Sequence, residues 1–218
     1  MKGFHFPQAE IARTSGNPGS ALVVRSGRTL HTLSSAVVGG GFHQTRVIVN
    51  RHVDKNYDVR DAASDLIAFA REHGIGEGFV GMMTAVYLDD ARAATWTDGD
   101  LTVATVATVG LGNRIAAGVS EPALPGPGTI NLILLIDGHL PPAVMVNAVI
   151  TATEAKSRVL SDKEIHTEDG RPATGTSTDA VVVACTGKGR ARPYAGPVTQ
   201  VGWAIAHTVR RAMTASLQ

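Results

Sequence analysis

Short apolar runs separated by turn-forming residues dominate the first two thirds of the chain. Runs of this kind, rich in Val, Ile, Leu and Thr, predict β-strands. Residues 26–28 are Ser-Gly-Arg between two such runs, which predicts a hairpin turn. Residues 89–100 have the composition of a second hairpin or a short excursion. The predicted strands cover residues 22–25, 29–33, 45–50, 81–87, 101–108, 129–136 and 180–185.

Three segments have the spacing of amphipathic helices instead. The first covers residues 61–73 and is followed by Gly74, a common helix stop. The second begins at Pro141-Pro142, runs to about Ser161 and carries a stripe of small residues suited to close packing on a sheet. The third covers residues 199–215. The stripe on the second helix consists of Val144, Ala148, Ala152 and Ala155.

These elements do not alternate as regular βαβ units. They therefore predict an α+β fold, with a mixed or largely antiparallel sheet packed against helices. A chain of 218 residues is long enough for one substantial core, so we expect a single compact domain over residues 1–218. Three prolines within residues 118–128 predict a loop.

Composition excludes several classes of function. Twenty basic and nineteen acidic residues leave a formal charge of +1, which gives no electrostatic basis for binding nucleic acid or an anionic membrane. No signal-peptide pattern and no membrane-spanning apolar run are visible, so we expect a cytoplasmic protein. The single cysteine, Cys185, lies in an apolar run and predicts a buried thiol rather than a disulfide. The eight histidines have no ligand spacing, so the sequence gives no positive support for a metal site.

The sequence Thr-Glu-Ala-Lys at residues 153–156 brings two opposite charges onto the second helix. Glu154 and Lys156 are two residues apart and do not face each other, whereas Glu154 and Arg158 have the spacing of a surface ion pair. Alternatively, the neighbouring alanines bring this turn close to the sheet, where a partly buried Glu154 with a raised pKa could act as a general acid or base. The spacing leaves both interpretations open.

Residues 174–179, Thr-Gly-Thr-Ser-Thr-Asp, form a hydroxyl-rich loop before a strand. Its amides and hydroxyls could bind an oxyanion, or one hydroxyl could be a nucleophile activated by a neighbouring base. A simple turn before a strand explains the same composition. Asp179 could orient a base, cap the turn or bind a metal, and the loop alone does not discriminate among these roles.

Two asparagines and a glycine run complete the candidate residues. Asn131 interrupts an apolar strand and must find hydrogen-bond partners, either in neighbouring loops or on a substrate carbonyl. Asn113 follows a glycine-spaced loop and has the same two interpretations. Residues 39–41 are three consecutive glycines, which form a flexible turn or let the backbone approach a ligand.

Several sequence blocks, in order, resemble the adenosylcobinamide amidohydrolase family over about residues 20–212. The blocks at 151–156, 173–184 and 194–196 are the most specific, and Gly81-Met82-Met83-Thr84-Ala85 is similar to a Gly-Leu-Met-Thr-Ala block. The remaining similar blocks are Ser34 to Val37 with the glycine run and Asn50, Thr108 to Asn113, and Gly128 to Asn131.

The resemblance implies hydrolysis of the amide that joins the aminopropanol arm to the corrin ring of adenosylcobinamide, which gives adenosylcobyric acid. The cobalt would belong to this small-molecule corrinoid substrate, so the resemblance implies no protein-bound cofactor. Departures at Val109, Gly112, Ala116 and Ser177 leave room for a related hydrolase acting on another amide, ester or lactone, or for a corrinoid-binding protein without turnover. A homo-oligomer is also compatible with the sequence.

The predicted site residues fall into two groups. The expected catalytic residues are Glu154, Thr176, Asp179 and Asn131. The expected substrate-binding residues are Lys156, Thr174, Ser177, Thr178, Asn113, Gly40, Gly41 and Asn50.

Overall fold

One mixed sheet forms the centre of the molecule, in a computed structural model that describes residues 1–16, 19–122 and 128–217. Its strand order is β4-β3-β2-β10-β8-β6-β5, and β1 pairs with the first half of β2. The pairs β3–β4 and β8–β10 are parallel and the others are antiparallel. The sheet strands are β1 (Ala9–Thr14), β2 (Ala21–Ser34), β3 (Gly41–His52), β4 (Val80–Thr84), β5 (Arg92–Asp98), β6 (Leu101–Val109), β8 (Ile130–Asp137) and β10 (Ala180–Cys185). The short strands β7 (Arg114–Ile115) and β9 (Gly175–Thr176) pair separately.

The three predicted helices and the α+β class are confirmed. Helix α1 (Ala62–Glu72) is capped by Asp61, whose carboxylate accepts a hydrogen bond from the Ser64 amide at 2.9 Å. Helix α2 (Pro142–Asp162) begins with a proline in its first turn, and its predicted small-residue stripe is buried. Helix α3 (Gln200–Ser216) is capped by Thr199. Of the proline-rich loop predicted over residues 118–128, residues 123–127 lie outside the described residues.

The hairpin predicted at residues 26–28 is wrong, because β2 continues through it as one strand of fourteen residues. The pairing with β3 shifts register between Arg25 and Leu30, as at a β-bulge. Strand β1, which the sequence pattern did not predict, pairs with β2 up to Ser26, and the Gly27 amide bonds to the Gln8 carbonyl at 2.7 Å. These contacts satisfy backbone groups that a hairpin turn would otherwise have paired.

The sheet divides into two wings with helices on their outer faces. The first wing, β1 to β4, packs its outer face on α1 through residues such as Val23 and Val49. The second wing, β5, β6, β8 and β10, packs its outer face on α2 and α3. Alternate residues of the two wings meet in one inner core, which includes Leu22, Ile48, Met82, Val106, Ile133, Leu135 and Val182. The sheet is therefore bent, and the inner faces of its two wings pack against each other.

No described helix combines the length and the apolar character needed to cross a membrane.

Candidate functional site

A pair of buried asparagines joins the two wings at one end of the inner core. Asn131 continues the inward-facing positions of Ile133 and Leu135 along β8. Its amide nitrogen donates to the Asn50 side-chain oxygen on β3 at 2.9 Å and to the Met83 carbonyl on β4 at 2.8 Å. Strands β3 and β4 are not sheet neighbours of β8. The asparagine amides therefore tie one wing to the other.

Two threonines extend this amide clasp, which we define as Asn50, Asn131, Thr108 and Thr129. The Asn50 amide donates to the Thr108 hydroxyl on β6 at 3.0 Å. The Thr129 hydroxyl donates to the Asn131 side-chain oxygen at 2.9 Å or to the Thr178 carbonyl at 2.8 Å. All four side chains are buried. Buried amides need such partners, so the clasp forms a fixed polar end to an apolar layer.

Asp179 fixes the hydroxyl loop beside this clasp. Its Oδ1 accepts the amides of Ile130 and Thr176, each at 3.1 Å, and also the Thr176 hydroxyl. Strands β8 and β10 are parallel and adjacent, with Asn131 paired to Ala180. The residues just before the two strands therefore meet at the same edge of the sheet, which brings Asp179 and Asn131 together.

Lys156 of α2 forms an ion pair with Asp179 Oδ2. The Lys156 side chain is 9% exposed and that of Asp179 is 16% exposed. A side chain at position 175 would collide with both the Lys156 ammonium and the Asp179 carboxylate. Any larger residue at position 175 would displace this ion pair, since the pair occupies the volume where a Cβ would lie.

A cavity of about 350 Å³, which we call the reaction cavity, opens at this end of the molecule. Asn131, Thr129, Thr178 and Asp179 line one side of it. The opposite side comes from the loop after β3 and from the end of β4. The residues that these two segments contribute are Val53, Asp54, Lys55, Tyr57, Met82, Met83, Thr84 and Ala85.

Sequence reasoning missed the charged side of the reaction cavity. Asp54, Lys55 and Tyr57 lie in an irregular loop, and only their position directly after the Asn50 strand could have pointed to them. In the described part of the chain, the Lys55 ammonium forms no ion pair. The Tyr57 hydroxyl donates to Asp65 at 2.7 Å, and burial together with this carboxylate raises the pKa of Tyr57 to about 12. Tyr57 therefore stays protonated at neutral pH.

Glu154 does not join the other predicted residues. It lies on the exposed face of α2, outside the linings of the described cavities, and its carboxylate forms no hydrogen bond or ion pair with a described residue. The ion pair considered with Arg158 does not form either, because the Arg158 guanidinium bonds to Asp162 at 2.7 Å. Helical geometry explains the difference: Lys156, two residues further, lies on the buried side of the same turn.

Of the remaining predicted residues in and near the hydroxyl loop, Thr178 lines the reaction cavity, and the others bond within the loop or to neighbouring loops. Thr176 is buried and reaches Asp179, whereas Thr178 lines the cavity and donates to the Gly128 carbonyl at 2.8 Å. The Ser177 hydroxyl accepts from the Asn113 amide at 2.6 Å. The Thr174 hydroxyl accepts from the Ala117 amide at 2.9 Å.

The glycine run lies outside the described cavities. A Cβ at Gly40 would approach the Ala36 carbonyl oxygen to 2.6 Å, and one at Gly39 would approach the Phe79 carbonyl oxygen to 2.7 Å. Gly39 and Gly41 also have positive φ angles, of 65° and 73°. The close approach that these glycines permit is to the protein's own backbone, where β2 turns into β3.

The reaction cavity thus combines a carboxylate whose orientation is fixed by Lys156 behind it, the accessible ammonium of Lys55 and several hydroxyls. This set can orient a water molecule, accept its proton and stabilise a developing negative charge. Within the ranges that the structure describes, no three His, Cys, Asp or Glu side chains converge as metal ligands would.

Comparison with known proteins gives a consistent relationship. Residues 5–218 match the sequence model of the family described as adenosylcobinamide amidohydrolase. A protein of that name from Methanosarcina mazei is 31% identical over 193 residues, which cover 84% of this chain and 88% of the relative. Another of that name, from Halobacterium salinarum, is 38% identical over 143 residues, which cover 62% of this chain and 57% of the relative.

A solved structure shares the fold. The crystal structure of the PH0078 protein from Pyrococcus horikoshii OT3 superposes with a TM-score of 0.60, at 10% sequence identity, over 96% of this chain and 84% of that chain. At this identity the similarity concerns the fold alone.

Proposed function

This chain belongs to the adenosylcobinamide amidohydrolase family, and on that premise we propose that it hydrolyses the amide between the corrin ring and the aminopropanol arm of adenosylcobinamide. The products are adenosylcobyric acid and aminopropanol. The cobalt is part of the substrate, as is its adenosyl ligand. The observation that carries the proposal is the Asp179–Lys156 ion pair at the reaction cavity, beside the amide clasp.

Amide hydrolysis sets the chemical requirements of the site. A water oxygen forms a bond to the amide carbon, the carbon–nitrogen bond breaks, and the leaving nitrogen takes up a proton. One residue that receives the proton of the attacking water and delivers it to nitrogen meets both proton requirements. We assign this role to Asp179, because it is a predicted catalytic carboxylate that lines the reaction cavity.

The contacts of Asp179 show which of its two carboxylate oxygens can take up a proton. A carboxylate accepts about four hydrogen bonds, and Asp179 already accepts those of two backbone amides, one hydroxyl and one ammonium. Both backbone amides and the Thr176 hydroxyl contact Oδ1 and hold it in place, whereas, among the described residues, only the Lys156 ammonium contacts Oδ2. Each carboxylate oxygen has two lone pairs, so Oδ2 keeps one for the proton of the attacking water. Thr176 is thus a positioning residue in this proposal rather than a nucleophile.

Charge at the cavity supports the remaining step. Attack on the carbonyl places negative charge on its oxygen, and a nearby ammonium stabilises that charge. Lys55 lines the reaction cavity opposite Asp179 and pairs with no carboxylate in the described part of the chain. We assign it to the oxyanion. Lys156 remains with Asp179 and holds the carboxylate in place during the proton transfers.

The clasp residues have a supporting role in this proposal. Both amide hydrogens of Asn131 are used within the protein, one by Asn50 and one by Met83. Asn131 therefore shapes the cavity wall, and its side-chain oxygen has one lone pair left for the substrate.

The test is incubation of the purified protein with adenosylcobinamide, with adenosylcobyric acid measured by chromatography. Wild type should form the product, and Asp179→Asn should lose turnover by roughly 10²- to 10⁴-fold, the usual contribution of a general acid or base. Asp54→Asn and Glu154→Gln are matched carboxylate-to-amide controls, one lining the same cavity and one on the exposed face of α2.

The three variants separate the possible assignments. Retained turnover in Glu154→Gln and Asp54→Asn, with loss in Asp179→Asn, supports the proposal. Loss in Glu154→Gln with near-normal Asp179→Asn contradicts it and returns the chemistry to the exposed carboxylate. Circular dichroism of each variant distinguishes lost chemistry from lost fold. A wild-type protein that forms no adenosylcobyric acid contradicts the proposed function itself.

A further inference from the structure

A second cavity adjoins the reaction cavity and differs from it in character. This groove, of about 290 Å³, is lined mainly by apolar side chains and glycines. We call it the ring groove. Its lining residues are Lys55, Ala85, Val86, Tyr87, Asp90, Gly110, Leu111, Gly112 and Gly128. Lys55, Ala85 and Gly128 also line the reaction cavity, so the two spaces meet at these residues.

Tyr87 forms an exposed aromatic surface in the ring groove. It is 66% exposed, which is unusual for a large apolar ring, yet it is held in place. The His52 imidazole stacks on the tyrosine ring, with 5.4 Å between ring centroids and an interplanar angle of 29°. His52 is itself fixed, because its Nδ1 lies 3.0 Å from the Val86 carbonyl oxygen. Tyr87 thus offers a flat surface whose orientation is set before any ligand binds.

Small residues line most of the boundary between the two cavities. Ala85 contributes a methyl group and Gly128 only hydrogen, while Lys55 is a long, exposed side chain whose stem can move while its ammonium stays at the reaction cavity. Gly128 has a φ of 126°, and a Cβ there would approach the Asn113 side-chain oxygen and the Gly112 amide, each to 2.8 Å. A glycine is required at this position, and it leaves the passage between the cavities open.

A third cavity, next to the reaction cavity and away from the ring groove, is an alternative binding site for the substrate. This outer cavity, of about 400 Å³, is lined by Leu33, Val146, Val149 and Val181, among others. It shares Ser35 and Asp179 with the reaction cavity, and Lys156 lines it. The Asp179–Lys156 ion pair therefore stands between the two spaces, so an arm reaching from the outer cavity would have to pass this pair. Among the residues that the structure describes, no ion pair stands between the ring groove and the reaction cavity.

We propose that the ring groove receives one edge of the corrin macrocycle against Tyr87, with the rest of the ring outside the groove, so that the aminopropanol arm reaches past Ala85 and Gly128 to Asp179. The inference rests on the proposed function, since the scissile amide lies on an arm of the macrocycle. A flat ring with an apolar framework matches an exposed, pre-oriented aromatic face. Tyr87 is accordingly a substrate-positioning and specificity-determining residue, and Asp179 is the catalytic one.

The test compares kcat and KM for adenosylcobinamide in Tyr87→Ala, Tyr87→Phe and wild type. Tyr87→Ala should raise KM roughly tenfold, as expected for loss of an aromatic contact, with kcat changed less than about twofold. It should raise the inhibition constant of adenosylcobyric acid by a similar factor, because the product keeps the ring and lacks the arm. Tyr87→Phe keeps the aromatic face and should behave like wild type.

Two control variants and a binding measurement make the result decisive. Tyr194→Ala removes a tyrosine of similar exposure (69%) outside the described cavities, and Val146→Ala alters the outer cavity. Both should leave KM unchanged. An unchanged KM in Tyr87→Ala, or a raised KM in Val146→Ala, overturns the inference even if wild type is active. Equilibrium dialysis with adenosylcobinamide covers the remaining case: binding weakened by Tyr87→Ala without any turnover in wild type supports the ring groove and refutes the hydrolysis.

Discussion

At the scale of single residues, the site depends on side chains that bond to one another as much as on those that face the cavity. The Asn131 amide donates hydrogen bonds to Asn50 and Met83, and the Asp179 carboxylate accepts hydrogen bonds from four donors. Groups held in this way need no reorganisation when charge develops nearby, and that is the main source of electrostatic stabilisation in enzymes.

The amide clasp should show energetic coupling between its two asparagines. Asn50→Ala and Asn131→Ala should each lower the free energy of unfolding by about 1–3 kcal/mol, because each leaves buried partners without a hydrogen bond. The double variant should cost less than the sum by at least about 0.5 kcal/mol, since the two side chains share one bond. Urea unfolding measures these values. As a control, Asn131→Ala and Thr208→Val should have additive effects on the unfolding free energy, because Asn131 and Thr208 share no hydrogen-bond partner. A similar coupling between these two would show that the coupling of Asn50 and Asn131 does not come from the clasp.

Tyr57 should link stability to pH at the alkaline end. Its pKa is raised to about 12 by burial and by the Asp65 carboxylate, from 10.0 in the unfolded chain. A raised pKa means that the folded state holds the phenol proton more tightly than the unfolded state. The contribution of this proton to the free energy of unfolding is therefore complete below pH 10 and is lost as the pH rises toward about 12. The difference in unfolding free energy between wild type and Tyr57→Phe should therefore shrink over this interval. A difference that stays constant would show that the phenol proton is not linked to folding.

At the scale of elements, sequence periodicity located the helices well but did not decide which face of each helix is used. In α2, the predicted stripe from Val144 to Ala155 is buried. The same turn carries Glu154 outward and Lys156 inward, so the residue that reaches the site is the predicted substrate-binding lysine. Helical spacing relates the two residues to each other; the packing of α2 on the sheet determines which one is buried.

In helix α3, helix propensity and packing predict opposite changes in stability when one glycine is replaced by alanine. Replacing glycine by alanine inside a helix usually stabilises it by about 1 kcal/mol. At Gly202, however, a Cβ would overlap the carbonyl oxygens of Ala195 and Gly196. Gly202→Ala should therefore lower the melting temperature, as measured by circular dichroism. The difference between Arg211→Gly and Arg211→Ala, at an exposed position of the same helix, measures the helix propensity alone. A rise in melting temperature for Gly202→Ala would contradict the contact between α3 and the preceding loop.

At the scale of the whole molecule, the site lies where the two wings of the sheet meet. Asn50 belongs to the first wing, and Asn131 and Asp179 come from the second. Neither wing alone closes the reaction cavity, because its lining combines the loop after β3 with the edge of β8 and β10. The inner core between the wings is therefore a condition for the site as well as for stability.

The two wings should unfold as one unit. Leu135 is fully buried in the inner core, and Leu135→Ala should cost about 2–5 kcal/mol. The fluorescence of Trp96 and Trp203, which pack edge to face with 5.5 Å between ring centroids, reports on the second wing, whereas far-ultraviolet circular dichroism reports on the whole chain. Both signals should have the same urea midpoint in wild type and in the variant. Separate midpoints would mean two independently folding halves.

The sequence by itself determined the element types and several of the site residues. Apolar periodicity is a local property, so the three helices and most strands could be predicted, and the interruption of an apolar strand by Asn131 identified a buried amide that needs partners. The partners of Asn131 could not be predicted, because Asn50 and Met83 lie 81 and 48 residues away. Asp54, Lys55 and Tyr57 were missed because an irregular loop has no periodicity, and β2 was divided wrongly because its middle is paired by β1, a strand that the pattern did not predict. Only the tertiary structure decided which charged residue of α2 faces the site and which loop completes the cavity, since both depend on how two wings close over one core.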